Sequence, residues 1–248
     1  MDAIRKERLD LILVERKIVK SREQAQRLIL AGNVLVEKKQ FSKPGDRLPT
    51  DISLQIKEKE KYVGRGGLKF ESAYKKFLPK FQQTLIADVG ASTGGFTDFA
   101  LKHGAKKVYA VDVGKGQLDL RLRNNPKVTV MEGCDIRKVA SFPEKIDYFL
   151  IDLSFVSLKK ILPHIFKLIK KEGSASYVIC LVKPQFEVGK EIADKFKGVI
   201  KDIEIQNNIV DDIISFAKNI GFKFLGSVKS KIKGQKGNQE YFIELLVK

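Results

Sequence analysis

The sequence has no tryptophan and few of the residues that bind metals or form disulfides. Its 248 residues include two cysteines, Cys134 and Cys180, and two histidines, His103 and His164. Each cysteine lies in an apolar run typical of a strand, away from both histidines. This inventory supports neither a disulfide framework nor a zinc site.

The sequence also lacks a long apolar run, although 43% of its residues are hydrophobic, which is enough for a core. No segment approaches the ~18 consecutive apolar residues of a membrane-spanning helix. The first residues, MDAIRKERLD, do not contain the apolar segment of a secretory signal. We therefore expect a cytoplasmic protein that does not associate with membranes.

Acidic residues are scarce relative to basic ones. Lys and Arg together number 47 and Asp and Glu 30, which gives a net charge of +17 at pH 7. The segment KFLGSVKSKIKGQKGNQ, residues 223–239, contains no acid. A soluble basic surface is one interpretation, but an excess of this size in a cytoplasmic protein more often binds a polyanion such as nucleic acid.

Residues 1–60 have the pattern of a small separate α+β domain. The segment RLDLILVERKIV places its apolar residues on one helical face. Ser21 and Gln24 match a capping box that opens a second helix, and Gly32 follows the end of that helix. Short strands are predicted in NVLVE and DISLQI, with a turn at residues 43–45. Arginines occupy polar positions of this region: Arg5, Arg8, Arg22 and Arg27.

The order helix, Ser-Arg, helix, Gly, strand in RLDLILVERKIVKSREQAQRLILAGNVLV resembles the small RNA-binding domain named after ribosomal protein S4. The resemblance covers about 55 residues. It implies binding to structured RNA through the helix surface, by phosphate contacts and groove shape. The four arginines, with Arg65 further along, are the candidate RNA contacts, and a solvated helix face is the alternative for any one of them.

Residues 61–82 are predicted to form a basic linker and the first helix of a second domain, residues 83–248. In KEKEKYVGRGGLKF, the three glycines indicate a flexible joint or a close backbone approach. Apolar runs then alternate with helical patterns, which is typical of a parallel sheet with helices on both faces. The predicted strands are 84–89, 107–111, 128–131, 148–151 and 176–182, the longer helices are 156–170 and 203–219, and a final antiparallel hairpin joins 222–228 to 241–247.

The stretch IADVGASTGGF, residues 86–96, is an apolar strand that runs into a glycine-rich turn, as in many nucleotide-like cofactor sites. The dinucleotide fingerprint GxGxxG does not fit, because Ser92 occupies the place of its second glycine. Asp88 would also repel the diphosphate of a nicotinamide cofactor. It would attract S-adenosylmethionine, which has no phosphate and carries a sulfonium and an ammonium group. The candidate cofactor contacts here are Asp88, Gly90, Ser92, Gly94, Gly95 and Phe96.

Acids stand at the carboxyl ends of four successive predicted strands, at positions 88, 112, 135 and 152. Asp112 is placed to accept both ribose hydroxyls of the cofactor, and Asp135 to meet the adenine amino group while Ile136 packs on the ring. Asp152 ends the fourth strand. Open parallel sheets bind ligands along their carboxyl edge, so four acids in register there indicate a binding site rather than ordinary turns.

The motifs DVGASTGGF, VDVG, CDI, DLSF, LVKPQFE and GNQEYF, in this order, resemble those of the TlyA family of rRNA methyltransferases. The resemblance spans nearly the whole chain. It implies a Rossmann-like class I methyltransferase sheet with helices on both faces (FtsJ-like), preceded by the small α+β RNA-binding domain. It also implies S-adenosylmethionine-dependent 2′-O-methylation of a cytidine in ribosomal RNA, with ribosomal RNA or a ribosomal subunit as partner. We expect a monomer.

FtsJ-like enzymes use a Lys-Asp-Lys-Glu set, and the resemblance gives each member a counterpart: Lys69, Asp152, Lys183 and Glu240. Glu244 is a weaker candidate than Glu240 because it stands within a strand. A ribose hydroxyl is a poor nucleophile at neutral pH, so Lys183 is expected either to accept its proton or to stay charged and stabilise the alkoxide. Asp152 would orient that lysine or the cofactor's methyl end, and the remaining pair would position the hydroxyl and the ribose.

Other chemistries on this fold leave different signatures. Amino-methylating enzymes often have an Asn/Asp-Pro-Pro-Tyr motif where this chain has DLSF, and carbon-5 enzymes need a cysteine beside a proline, which is absent here. A non-catalytic RNA-binding assembly factor is an alternative, against which the intact Lys-Asp-Lys-Glu set argues. A pore-forming protein is another, because family members carry haemolysin names, but no apolar span supports it.

Overall fold

The computed structural model describes residues 5–41, 43–57, 61–173, 175–188, 196 and 198–248. By its internal contacts the chain divides into two compact units, Met1–Glu60 and Lys61–Lys248. Residues 58–60, in the lysine-rich segment KEKEKYVGRGGLKF, lie outside the described residues.

The first unit is a small α+β domain. Its elements are β1 (Lys6–Arg8), α1 (Leu9–Glu15), α2 (Arg22–Leu30), β2 (Val34–Val36), β3 (Lys39–Phe41), β4 (Arg47–Pro49) and β5 (Leu54–Ile56). β1 pairs with β4, and β2 lies between β3 and β5 in a three-stranded antiparallel sheet. Both helices and β2 contribute to one apolar core, in which Leu9, Ile29 and Val34 are fully buried.

The predicted capping residues of this unit are confirmed. Ser21 is the N-cap of α2, and its Oγ accepts a hydrogen bond of 3.2 Å from the Gln24 N–H. Gly32 follows the helix with a φ of +66°. Helix α1 ends earlier than the apolar pattern predicts, and Lys17 beyond it has a φ of 56°, a left-handed conformation that cannot continue a right-handed helix. The strands β1, β3 and β4 were not predicted, because they are short and mostly polar.

The second unit is a seven-stranded sheet with helices around it. Its strands are β6 (Leu85–Val89), β7 (Lys107–Asp112), β8 (Val128–Glu132), β9 (Tyr148–Ile151), β10 (Ser176–Val182), β11 (Lys223–Lys229) and β12 (Tyr241–Val247). Its helices include α3 (Arg65–Phe77), α4 (Gly95–Lys102), α5 (Leu120–Arg123), α6 (Leu162–Glu172), α7 (Pro184–Glu187) and α8 (Ile203–Asn219). The strand order is β11-β12-β10-β9-β6-β7-β8. The five strands from β10 to β8 are parallel, and β12 is antiparallel to both β10 and β11.

Alternate residues of the strands face two separate cores. In β9, Phe149 and Ile151 pack in a core to which α6 and α8 contribute, whereas Tyr148 and Leu150 pack in another with α3 and α4. Helices therefore cover both faces of the sheet, which confirms the predicted Rossmann-like α/β class. The predicted terminal hairpin is also confirmed, since β11 and β12 pair antiparallel.

One predicted helix is wrong in its first part. Residues 156–170 do not form a single helix, because a 3-10 turn at Leu158–Lys160 precedes α6. Pro163 stands in the first turn of α6. A proline has no N–H to donate and its ring clashes with the preceding turn, so an α-helix can begin at this point but cannot run through it.

The strand order determines where a ligand can bind. From β6 the chain continues to β7 on one side, whereas from β9 it continues to β10 on the other. The topological switch point of the sheet therefore lies between β6 and β9, where open α/β sheets bind ligands at the carboxyl ends of the strands. Asp88 in β6 and Asp152 directly after β9 flank this point, and the Asp152 N–H donates to the Val89 carbonyl at 2.9 Å.

Candidate active site

The four predicted strand-end acids lie at one edge of the sheet. Asp152 follows β9, Asp88 is in β6, Asp112 ends β7 and Asp135 follows β8. These strands are parallel neighbours, so their carboxyl ends meet. The environments of the four carboxylates nevertheless differ, and only some of them are free to meet a ligand.

Asp88 is almost completely buried, with 1% of its surface exposed. Its Oδ2 accepts hydrogen bonds from the N–H and the hydroxyl of Thr97, at 2.9 and 2.6 Å. Its Oδ1 is buried and has no hydrogen-bond partner among the described residues. Burial, reinforced by the negative charges of Asp152 and Asp112, raises the pKa of Asp88 to about 7. The unpaired oxygen is therefore a site for a cationic or hydrogen-bond-donating group.

The glycines of the turn after β6 have different structural roles. Gly90 has a φ of +87°, and a Cβ there would lie 2.4 Å from the Asp152 carbonyl oxygen. Gly95 allows a close approach to α3, because a Cβ added at this position would lie 2.8 Å from the Gly67 nitrogen. Of the two interpretations of the linker glycines, the structure therefore supports a close backbone approach at Gly67. Gly94, at a φ of +94°, starts α4, and a Cβ there would clash with a leucine side chain at 2.2 Å.

Asp112 connects two loops at the edge of the sheet. Its Oδ2 accepts from the Ser92 N–H at 2.8 Å, and its Oδ1 accepts from the Gly114 N–H at 2.7 Å. The loop after β7 is held further by Glu132, which accepts hydrogen bonds from the backbone N–H groups of residues 116–118. The sequence motifs did not point to Glu132, although its position at the end of β8 was a signal of the same kind as the other strand-end acids.

Three predicted cofactor contacts have other partners in the structure. Phe96 is 2% exposed in the core beneath α3 and α4, and Ile136 is 3% exposed in the core on the opposite face. Asp135 forms an ion pair of 2.6 Å with Arg137, which lowers the pKa of Asp135 to about 2. Contact of these residues with an adenine ring therefore stays a prediction.

Three of the four predicted catalytic residues line a cavity of about 560 Å³, and the fourth, Asp152, forms an ion pair with one of them, Lys183. Lys69 from α3, Lys183 directly after β10 and Glu240 directly before β12 line it. Because Val182 pairs with Tyr241 in the antiparallel ladder, the residues beyond them, Lys183 and Glu240, lie at neighbouring strand ends. The alternative, Glu244, lies within β12 opposite Ile179 and is not among the cavity residues.

Two ion pairs organise this group. Lys69 Nζ lies 2.7 Å from Glu240 Oε2, and Lys183 Nζ lies 2.6 Å from Asp152 Oδ1. Lys183 Nζ also donates to the Ser154 hydroxyl at 2.8 Å. The side chains of Lys69 and Glu240 are 11% and 3% exposed, and that of Lys183 is 9% exposed. Charges fixed in a site of this kind, away from water, interact strongly with any charge that develops on a substrate.

Apart from Arg65, a candidate RNA contact, the remaining cavity residues were not assigned from the sequence, although several stand next to a quoted motif residue. Phe155, in DLSF, is 90% exposed and has a φ of +64°. Left-handed backbone at a bulky residue is uncommon and tends to occur at functional sites. The ring centroid of Phe155 lies 4.8 Å from that of Phe186. An exposed aromatic face of this kind can stack on a nucleobase. Arg65 also lines the cavity, and its guanidinium donates to the Lys233 carbonyl at 2.7 Å.

The arginines of the first unit are organised by an acid that the sequence motifs did not reveal. Asp10 is fully buried in α1, and its carboxylate accepts hydrogen bonds from Arg8 and Arg22 at 2.9 to 3.0 Å. The hydrogen bonds from Arg8 hold the pKa of Asp10 well below its usual range. Arg5 instead pairs with two glutamates, and Arg27 is exposed on α2. Asp10 therefore fixes two of the four arginines at the surface of this unit.

Comparison with known proteins gives matches over both units. The FtsJ-like methyltransferase model matches residues 62–245, and the S4 domain model matches residues 7–51. YqxC of Bacillus subtilis (strain 168), which is named as an rRNA methyltransferase, is 42% identical over 245 residues, or 97% of this chain and 86% of YqxC. The 16S/23S rRNA (cytidine-2′-O)-methyltransferase TlyA of Mycobacterium tuberculosis (strain ATCC 25618 / H37Rv) is 36% identical over 247 residues, 97% of this chain and 90% of TlyA.

A solved structure shares both the fold and the sequence. A Streptococcus thermophilus protein named as a hemolysin superposes with a TM-score of 0.72 at 38% identity, over 98% of this chain and 89% of that one. No helix in the described part of this chain is long and apolar enough to cross a membrane. The chain therefore belongs to the FtsJ-like methyltransferase family, in the TlyA group, with an S4 domain ahead of the methyltransferase domain.

Proposed function

We propose that this chain uses S-adenosylmethionine to methylate the 2′-oxygen of a cytidine ribose in ribosomal RNA. The observation that carries the proposal is the set of two largely buried ion pairs, Lys69–Glu240 and Lys183–Asp152, of which Lys69, Glu240 and Lys183 line one cavity at the carboxyl edge of the sheet. The name of the M. tuberculosis relative, a cytidine-2′-O-methyltransferase, supports the substrate. The net charge of +17 supports an RNA partner, which we take to be ribosomal RNA or a ribosomal subunit bound by a monomer.

The residues at the switch point fit S-adenosylmethionine, which supplies an electrophilic methyl group when bound. Asp88 offers a buried oxygen that has no hydrogen-bond partner among the described residues and would attract the positive groups of the cofactor. Gly90 keeps the space beside the Asp152 carbonyl free of a side chain. Each carboxylate oxygen of Asp112 accepts one backbone N–H, which leaves acceptor capacity for ribose hydroxyls.

In this proposal the side chains of the cavity act on the substrate ribose. Asp152 and Ser154 hold Lys183 Nζ in place, and Lys183 either accepts the proton of the 2′-hydroxyl or stabilises the negative charge on that oxygen as the proton leaves. Glu240, fixed by Lys69, accepts hydrogen bonds from the ribose. In the same proposal residues 1–60 bind RNA, residues 83–248 carry out catalysis, and residues 61–82 join them.

The function is tested by transfer of a labelled methyl group from S-adenosylmethionine to ribosomal subunits and to protein-free ribosomal RNA. Label should appear on a cytidine ribose and resist alkaline cleavage at that position. Failure to label either subunit or the free RNA, or label on a base, would contradict the proposal. Lys183→Ala serves as the inactive control.

Cofactor affinity should depend on the ionisation of Asp88. Because burial raises its pKa to about 7, the carboxyl group is partly protonated at neutral pH, and a cationic ligand favours the ionised form. Affinity for S-adenosylmethionine should therefore increase as the pH rises from 6 to 8, and calorimetry in buffers of different ionisation enthalpy should show proton release near pH 6.

Asp88→Asn is the matched variant, because it keeps the shape of the side chain and removes the titration. We expect it to bind the cofactor weakly and with little dependence on pH over that range, while RNA binding is unchanged. A pH profile that persists in Asp88→Asn would show that another group is responsible. Ionisation of Asp88 should also oppose folding as the pH rises through about 7, since the folded state binds this proton more tightly than the unfolded chain.

The proposed assignment of RNA binding to residues 1–60 is tested by a shortened chain that begins at Lys61, the first residue of the second compact unit. We expect it to bind S-adenosylmethionine as the full chain does, because the proposed cofactor residues all lie in that unit. Its affinity for ribosomal subunits should fall by roughly 100-fold, because the arginine contacts of the first unit with phosphates are lost. Equal methylation of subunits by the shortened and full chains would show that residues 1–60 do not anchor the RNA.

A further inference from the structure

A groove of about 430 Å³ lies next to the candidate active-site cavity. Its lining includes four lysines, at positions 201, 229, 233 and 236, together with neutral residues. Lys236 lines both the groove and the cavity, and the groove residue Gln239 directly follows the cavity residue Asn238. The two depressions therefore meet along the loop that leads into β12.

The groove carries positive charge without a matching acid. All four of its lysines are exposed, and no acidic side chain of the described residues lines it. Four like charges around one depression repel each other, and this repulsion is relieved when an anion binds between them.

The loop between β11 and β12, which bears Lys233 and Lys236, is held in a defined conformation. The Gly234 N–H donates to the Asn238 carbonyl at 2.9 Å, and Arg65 donates to the Lys233 carbonyl at 2.7 Å. Asn238 is 2% exposed, and its Oδ1 accepts from the Ile200 N–H at 2.9 Å, which ties the loop to the opposite wall of the groove. The backbone positions of the lysines are thus fixed before a ligand arrives, which lowers the entropic cost of binding.

We propose that this groove binds the phosphates of the single-stranded RNA that flanks the target nucleotide. The proposal rests on the proposed function, because a ribose held at Lys183 must be continuous with a strand that leaves the cavity. The adjoining groove offers lysine ammonium groups, which bind phosphate as point charges. None of its described lining residues is aromatic, so bases have no stacking surface there. The groove therefore holds the RNA backbone and is indifferent to base sequence.

The test compares two full-length triple variants that each remove three positive charges. The groove variant is Lys229→Gln, Lys233→Gln and Lys236→Gln. The control variant is Lys106→Gln, Lys127→Gln and Lys145→Gln, whose exposed lysines precede β7, β8 and β9 at the amino ends of the strands, away from the carboxyl edge. Binding of a fluorescent short oligocytidylate is measured by anisotropy over a range of salt concentrations, with oligouridylate and inorganic triphosphate as further ligands.

We expect the groove variant to bind oligocytidylate and oligouridylate about 10- to 100-fold more weakly than the wild-type chain at low salt. The slope of log affinity against log salt should become shallower by about 2, because each lost phosphate contact on a single strand contributes about 0.7. The control variant should stay within about threefold of the wild type, with little change in slope.

Three results would overturn the proposal. Equal weakening in the two variants would mean that only net charge matters, and an unchanged salt slope in the groove variant would mean that its lysines do not contact phosphates. Triphosphate that binds the wild type more tightly than the oligonucleotides and is lost in the groove variant would assign the groove to a free anion. Failure of the proposed function would be seen separately, as a wild-type chain that does not methylate ribosomal RNA, because these binding measurements involve no methyl transfer.

Discussion

Lys183→Ala should lower the turnover number for methyl transfer by roughly 10²- to 10⁴-fold, the range for loss of a general base or of an oxyanion-stabilising donor. Affinity for S-adenosylmethionine and for RNA should stay within a few fold of the wild type. That combination would identify an interaction made mainly in the transition state. It is measured by single-turnover methylation of ribosomal subunits, with calorimetry for the cofactor. Near-normal turnover in Lys183→Ala would refute the proposed catalytic set.

Lys183→Arg separates the two roles that the structure allows for this lysine. Arginine keeps a positive charge beside Asp152 but cannot deprotonate at accessible pH. Substantial activity in this variant would exclude an obligatory base and favour charge stabilisation of the 2′-oxygen. Ser154→Ala provides a second measurement, because it removes the 2.8 Å contact to Lys183 Nζ without changing the charge. A modest loss of turnover with unchanged RNA affinity would show that Ser154 positions the lysine.

Lys69→Met should destabilise the second unit by about 3–5 kcal/mol, because it leaves the Glu240 carboxylate buried without its cation. The Glu240 side chain is 3% exposed, so water can reach the unpaired carboxylate only from the cavity that it lines. Lys107→Met is the matched control. It breaks a pair whose side chains are 32% and 36% exposed, so we expect a much smaller loss of stability than for Lys69→Met. Because the chain has no tryptophan, unfolding by denaturant is followed by far-ultraviolet circular dichroism.

The double variant Lys69→Met and Glu240→Met distinguishes stability from catalysis. Replacing both charges with apolar side chains of similar length should recover most of the lost stability, since neither charge is then left unpaired. Methyl transfer should nevertheless be abolished in the double variant, because position 240 no longer carries a carboxylate to bind the ribose. Recovery of activity together with stability would show that the pair has a structural role only. A Lys69→Met variant as stable as Lys107→Met would show that the pair is not buried in solution.

The alternation of strands and helices in the second unit could be predicted from the sequence, because the buried residues of each element form a local apolar pattern. Strands β9, β10 and β12 lie at their predicted residues, since apolar runs bounded by turn residues leave few alternatives. The helix predicted at 156–170 began too early, because the apolar pattern continues across Pro163 although a helix cannot. Strands β1, β3 and β4 of the first unit escaped prediction, because they are short and mostly polar, whereas the apolar β2 and β5 were predicted.

The candidate site, too, could be predicted only in part from the sequence. Motif order pointed to Lys69, Asp152, Lys183 and Glu240 as one set, but it did not reveal that they form two separate ion pairs. It also gave no reason to notice Phe155, whose exposed ring and left-handed backbone are visible only in the fold. Phe96 and Ile136 were predicted from the motifs as cofactor contacts; both are packed in the two cores, and their contact with a ligand stays a prediction. An apolar residue beside a motif can face the ligand site or the hydrophobic core, and only the packing of the fold determines which.

The sequence by itself determined the composition of each element, the acids that end the central strands and the strong positive charge. These properties follow from local patterns and residue counts, which do not depend on how distant segments meet. Only the tertiary structure decided that Lys183 and Glu240 stand together, because the antiparallel pairing of β10 with β12 joins segments far apart in the chain. The tertiary structure also left one oxygen of Asp88 without a hydrogen-bond partner in the described part of the chain and tied a lysine-bearing loop to the edge of the cavity. Burial and hydrogen bonding depend on contacts between distant segments, which no local pattern records.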